Sequence, residues 1–233
     1  MPSMRSNGTV RPATFISALL LSTAFTVPAF AQVEVVVVTA EKKAEDLQTV
    51  PIAVTALSGD ALKAKQIDTF KDLQYNVPNL TFHKTGLGNG QITIRGIGQA
   101  AGDPGVAQYV DGVYSETADL ATGSYYDLSS VEVLRGPQGT LYGRGSVGGT
   151  INVISAKPDL DNFGANAEVT YGEYNTVNAD GMVNIPIIDG ELGARIAGHF
   201  ASHDGYLKNI GTGGDYNGLN DYSFRGSLRW QPT

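Results

Sequence analysis

From Gly164 to Trp230 apolar and polar residues alternate with a period of two through four successive segments. Ala165, Ala167, Val169 and Tyr171 oppose Asn166, Glu168 and Thr170; Val177, Ala179, Val183 and Ile185 oppose Thr176, Asn178, Asp180 and Asn184. Leu192, Ala194, Ile196 and Phe200 then stand against Arg195 and His199. In the last segment Tyr222, Phe224, Leu228 and Trp230 oppose Asp221, Ser223, Arg225, Ser227 and Arg229. That period belongs to strands, because successive side chains of a strand point to opposite faces. Every acid and base inside the four segments falls on the polar parity, so the two faces meet very different surroundings. Segments of roughly 10 residues with one apolar face suit a transmembrane barrel, which has lipid outside and a wet lumen inside. Tyr171, Phe200, Tyr222 and Trp230 lie near segment ends, where an aromatic girdle would sit. A soluble β-sandwich also alternates, and is the competing fold.

The connections give a direction. Ile187-Ile188-Asp189-Gly190 is tight, whereas Asp204 to Asn220 is long and rich in glycine. Outer-membrane barrels have short periplasmic turns and longer external loops, so Asp189-Gly190 is expected inside and the long loop outside. Gly172 to Asn175 is then a short external turn.

The other end of the chain points to export. Arg5 and Arg11 precede an apolar run from Ala13 to Val27, followed by Pro28 and Ala29-Phe30-Ala31. A positive start, a short apolar stretch and a small-x-small site read as a signal peptide cleaved before Gln32. The run is shorter than the roughly 20 residues a spanning helix requires. Exported chains can form disulfides, yet there is no cysteine, so packing, hydrogen bonding or closure in a membrane must stabilise the fold. A net charge of -7 argues against a nucleic-acid partner, which would call for a basic face.

Between residues 50 and 158 short strands and helices mix. Pro51 to Leu57 alternates like a strand, and Ser58 and Asp68 are expected N-caps for helices Gly59 to Lys65 and Thr69 to Tyr75. Pro78 follows the second helix. Strands are expected at Gln91 to Arg95, Val131 to Leu134 and Thr150 to Ile154. Asp111-Gly112 within Tyr109 to Tyr114 signals a two-residue hairpin turn. Gly143 to Gly148 satisfies GxGxxG, but a strand-like run follows where a nucleotide site needs a helix N-terminus. His199 and His203 are four apart on one strand face, roughly 13 Å, too far to share a metal. His83 is isolated. No paired carboxylates, activated serine or metal cluster is visible, so neither an enzyme nor a cofactor is expected.

The string from Val131 to Ser155, which contains Val133-Leu134-Arg135-Gly136-Pro137-Gln138-Gly139, closely resembles the end of the plug of TonB-dependent outer-membrane receptors. Arg95-Gly96-Ile97-Gly98 and Val110-Asp111-Gly112-Val113-Tyr114, in the expected order before it, resemble two further plug signatures. The resemblance runs from about Glu34 to Trp230. It implies an α+β plug domain over 50–158 followed by antiparallel transmembrane barrel strands over 159–233. It also implies a segment in 32–49 seized by TonB, with residues 1–31 as the signal peptide.

The β-branched run Glu34-Val35-Val36-Val37-Val38-Thr39-Ala40 resembles the TonB box, and a charged linker follows it. Its alternative is simply the plug's first strand. The resemblance makes TonB, with its inner-membrane energising complex, a partner. The others are outer-membrane lipid and an external nutrient such as an iron chelate. Arg95, Glu132 and Arg135 are candidates for contacts between plug and barrel wall, or else ordinary surface charges. No room is seen between Ala31 and Glu34 for a further signalling domain. Plugged transporters use about 22 strands, so four strands are expected not to close a barrel, and the chain is read as a partial form. The competing function is a secreted, plug-like β module that binds without transporting. Nothing in the sequence names the ligand or its contact residues.

Overall fold

A computed structural model describes residues 37–38, 45–46, 51–84, 90–98, 104–115, 125–211 and 213–232. The expected signal peptide, and Glu34, Val35, Val36, Thr39 and Ala40 of the Val-rich run, lie outside the described residues. In the mixed region the strands are β1 (Val37–Val38), β2 (Glu45–Asp46), β3 (Val54–Ser58), β4 (Leu80–Lys84), β5 (Gly90–Ile94) and β6 (Ile97–Gly98). They continue with β7 (Val106–Val110), β8 (Val113–Ser115), β9 (Leu128–Arg135) and β10 (Gly149–Ser155). The helices are α1 (Gly59–Ala64), α2 (Phe70–Leu73) and α3 (Gly139–Tyr142).

The plug is organised on a five-stranded sheet of order β3-β9-β10-β7-β8. Its centre is the motif string itself: β10 pairs antiparallel with β9 and parallel with β7. A strand flanked on both sides suits Gly149-Thr150-Ile151-Asn152-Val153, whose residues are all buried. Leu57, Leu62, Phe70, Leu73, Ile92, Ile94, Val131, Val133 and Ile151 pack into one core beneath this sheet. A smaller cluster on the other side joins Val38, Leu134 and Tyr142 to Ile52, Val54 and Tyr109.

Local chemistry sets the ends of these elements. Ser58 caps α1, its Oγ accepting from the Ala61 amide at 3.2 Å. The second helix is capped by Thr69 rather than by the expected Asp68. Asp72, three residues on, accepts from both the amide (3.0 Å) and the hydroxyl (2.7 Å) of Thr69, which closes a capping box. Asp111 and Gly112 both take positive φ, 49° and 83°, as the hairpin from β7 to β8 requires. The GxGxxG stretch leads into strand β10, so no helix N-terminus faces it. The expected strand from Pro51 begins only at Val54. Strand β4, whose Thr81, His83 and Lys84 dilute its apolar pattern, was not foreseen, and neither was the one-turn helix α3.

The four alternating segments become β11 (Gly164–Gly172), β12 (Thr176–Ile188), β13 (Leu192–His203) and β14 (Leu219–Trp230). They pair in chain order, each antiparallel to the next. The competing sandwich requires their apolar faces to be covered, and they are not. Tyr222 (81%), Phe224 (75%) and Trp230 (71%) stand open on the apolar parity, while on the polar parity Asn184 (2%) and His199 (8%) are buried. An apolar exterior with polar groups turned inward is the reverse of a water-soluble sheet and is the arrangement of a wall set in lipid. With lipid lacking hydrogen-bonding groups, the antiparallel ladder must satisfy the backbone itself.

The plug joins the wall through residues 156–163, to which one wall side chain makes three hydrogen bonds. Asn184 on β12 accepts from the Asp159 amide (2.9 Å) and donates to the carbonyls of Asp159 (3.0 Å) and Asn162 (2.7 Å). Asp159 in turn accepts from the amides of Asp161 and Asn162, and these bonds hold its carboxyl below the usual range.

Candidate functional site: the plug against the wall

The segment Tyr125-Tyr126-Asp127, just before β9, carries the plug onto the polar face of the wall. Asp127 sits at φ 48°, in the left-handed region that Asp tolerates better than most residues. Its carboxylate accepts from Nε of Arg195 on β13, at 2.9 and 3.1 Å, and also from Nη2 of the same side chain. Arg225 on β14 donates to the carbonyls of Tyr126 (3.0 Å) and Asp127 (2.6 Å), and lies 3.5 Å from the Asp127 carboxylate. The Asp127 and Arg195 side chains are only 9% and 14% exposed, so this is a forked ion pair largely removed from water.

The neighbouring ring adds two further contacts. The Arg225 guanidinium lies 4.8 Å from the centroid of Tyr126, a cation–π distance. His199 stacks on the same ring at 5.5 Å and 18°, and its Nδ1 is 2.7 Å from Asp180 of β12. Two adjacent wall strands, β13 and β14, therefore converge on two plug residues, with Asp180 of β12 holding His199 from behind. Arg229 of β14 adds a longer bond to the Pro158 carbonyl, at 3.4 Å.

Beside this contact the plug and wall separate. A chamber of about 200 Å³ lies between α1 with its following turn and strands β11, β12 and β13. Lys63, Gln66 and Asp68 line it from the plug, and Glu168, Asn178 and Asp180 from the wall. Two of its lining residues carry a buried polar atom, Nε2 of His199 and the Tyr125 hydroxyl, with no hydrogen-bond partner among the described residues. Burial raises the Tyr125 hydroxyl above its ordinary value. Asp68 is also raised, first by burial and then by the carboxylates of Asp72, Asp180 and Glu168.

Of the residues singled out from sequence, Val37 and Val38 pair in β1 with Asp46 and Glu45, and Val38 is fully buried in the smaller plug cluster. Arg95 is exposed at the end of β5 with φ 54°, its Nη1 lying beside Gly136. Glu132 is fully buried on β9, and Arg135 ends that strand with its Nε buried and without a partner. The forked grip on these four strands is made by Tyr126 and Asp127, two residues not marked in the sequence. Their wall partners were legible in part, since Arg195, His199 and Arg225 all fall on the polar parity. His199 and His203 have separate partners: His203 bonds the Asp204 carbonyl and stacks on Tyr206.

Residues 46–150 match the family model described as TonB-dependent Receptor Plug Domain. The chain belongs to the TonB-dependent receptor family. The pesticin receptor of Yersinia pestis is 30% identical over 167 residues, covering 70% of this chain and 24% of that protein. The hemin receptor of Yersinia enterocolitica is 33% identical over 125 residues, or 51% of this chain and 18% of that one. Among solved structures, the ferric yersiniabactin uptake receptor FyuA from Yersinia pestis superposes with a TM-score of 0.72 at 29% identity. It is matched over 78% of this chain and 29% of its own. This TonB-dependent receptor chain thus spans about a quarter of the length of these curated relatives. Its four-stranded wall is the antiparallel sheet of such receptors, unclosed, with the plug on its inner face. Receptors of this kind are not enzymes.

Proposed function

We propose that this chain is the plug and first wall strands of an outer-membrane receptor that binds an external nutrient, such as a ferric siderophore, and imports it with energy delivered by TonB. The observation that carries this reading is the pairing of an apolar-outward, polar-inward wall with a folded domain held on its polar side. A large barrel leaks unless something fills it, and a filled barrel imports only if the filling moves. The relatives named for ferric yersiniabactin and hemin support an iron compound as cargo.

The segment we assign to TonB is Glu34, Val35, Val36, Val37, Val38, Thr39 and Ala40. A β-branched run adds to a partner strand through backbone hydrogen bonds, with alternate side chains setting the register. Because Val38 is buried, such an exchange must first draw it out of its cluster, at a cost of roughly 2 kcal/mol for an apolar side chain of this size. TonB, with its inner-membrane complex, would supply both the new strand and the pull.

The test uses the receptor produced from its complete reading frame in cells given a ferric siderophore carrying radioactive iron. Val36→Pro or Val37→Pro removes a donor from the pairing run. Surface binding should persist while accumulation stops. Normal accumulation by either variant removes this segment from the mechanism. Heat-modifiable migration of the wild-type receptor separates a membrane barrel from a secreted binding module, which would stay soluble without detergent.

A further inference from the structure

We infer that the plug stays pinned to the wall at Tyr126–Asp127 and parts from it at the neighbouring chamber, so that the polar lane beside strands β11 to β13 is the way past it. This rests on the import reading above. Three observations place the parting there rather than at the pin.

The first is an imbalance of contacts. The pin combines a forked ion pair, two bonds from Arg225 to main-chain carbonyls and two ring contacts within three residues. Among the described residues no hydrogen bond or ion pair ties α1 to the wall across the chamber, although Lys63 and Gln66 both line it. The second is the charge of the gap. Asp68 on the plug faces Glu168 and Asp180 on the wall, which disfavours closer approach, and Lys63, the opposite charge in the plug's lining, forms no ion pair with either wall carboxylate among the described residues. The third is that Nε2 of His199 and the Tyr125 hydroxyl are buried at the chamber's edge without partners. Buried polar groups of this kind are satisfied by water where the space admits it, and about 200 Å³ admits several molecules. A wet, like-charged joint separates at lower cost than a dry, forked ion pair, and its polar lining suits passage of a hydrophilic solute.

These 233 residues hold no cysteine, and any thiol elsewhere in the full receptor is first replaced by serine, so that the introduced pair reacts alone. In the full receptor, Gln66→Cys with Asn178→Cys bridges the chamber through a bifunctional maleimide, and Asp127→Cys with Arg195→Cys takes a disulfide-containing bifunctional maleimide whose span stands in for the arginine side chain. Purified receptors are placed in planar lipid bilayers, and the readout is the conductance that mild urea induces as the plug loosens. Bridging the chamber should abolish these events. The pin variant bridged in this way should behave as the wild type, and reductive cleavage of its bridge should produce conductance without urea. If Gln66→Cys/Asn178→Cys does not assemble, Lys63→Cys with Glu168→Cys spans the same gap. Conductance that survives the chamber bridge, or is lost on bridging the pin, overturns the inference while leaving the import reading intact. A wild-type receptor that neither inserts nor shows heat-modifiable migration overturns the import reading and this inference with it.

Discussion

Replacing Asp127 with alanine removes the acceptor on which two wall arginines converge. The bonds lost are those from Nε of Arg195, at 2.9 and 3.1 Å, together with its Nη2 contact and the marginal one from Arg225. Hydrogen bonds to charged groups contribute roughly 1.5–3 kcal/mol each, and breaking a buried pair by deleting one partner costs roughly 3–5 kcal/mol. Arg195 and Arg225 keep 14% and 24% of their side-chain surface, so water compensates them in part and the lower end applies, about 3 kcal/mol. The amide of Ala156 reports on this directly, because it donates to the Asp127 carbonyl at 3.0 Å within the plug. If local opening at the pin exposes that amide, a loss of about 3 kcal/mol makes its hydrogen exchange roughly a hundredfold faster in the full receptor. Arg195→Ala should act through the same bonds, so the double variant should fall well short of additivity. Unchanged exchange at Ala156, or strict additivity of the two substitutions, would refute the reasoning.

Ser58→Ala removes the cap of α1 and should lower plug stability by about 1 kcal/mol, read from its urea midpoint. Phe224→Arg sets a charge near the middle of β14 on the face turned to lipid, where the cost is roughly 2–4 kcal/mol, and should reduce the folded band on an unheated gel. Asp68 is raised above its ordinary value of 3.8, so its protonated form is the one the fold favours. The stability it contributes is present below that value and lost as pH rises through the raised one. Asp68→Asn should therefore flatten the acid-side pH dependence of plug unfolding, and an unaltered profile would exclude Asp68 as its source.

Much of the fold was legible because two patterns agreed. Alternation placed all four wall strands, and the polar parity anticipated which side chains would turn inward, including Arg195, His199 and Arg225. The Asp-Gly hairpin and the strand after the glycine-rich stretch followed from local backbone chemistry. What was not legible depended on distant partners. Asp68 and Thr69 are both good caps by type, and only the carboxylate of Asp72 decided between them. The parallel pairing of β10 with β7 leaves no local signature, since each strand reads simply as a short apolar run. Tyr126 and Asp127 carried no motif at all; they matter because residues 68 and 98 positions further along the chain come back to meet them.

The Asn184 splice bears on how such receptors can be recombined. A chimera cut after the last plug strand would bring a foreign residues 156–163 region against a host β12 that had evolved with another. The three bonds made by this one amide would then be left to chance, in a place only 2% open to solvent. A plug meant for transplanting should travel with strands β11 to β13 attached, and the suture belongs in the long loop after β13 rather than at the domain boundary.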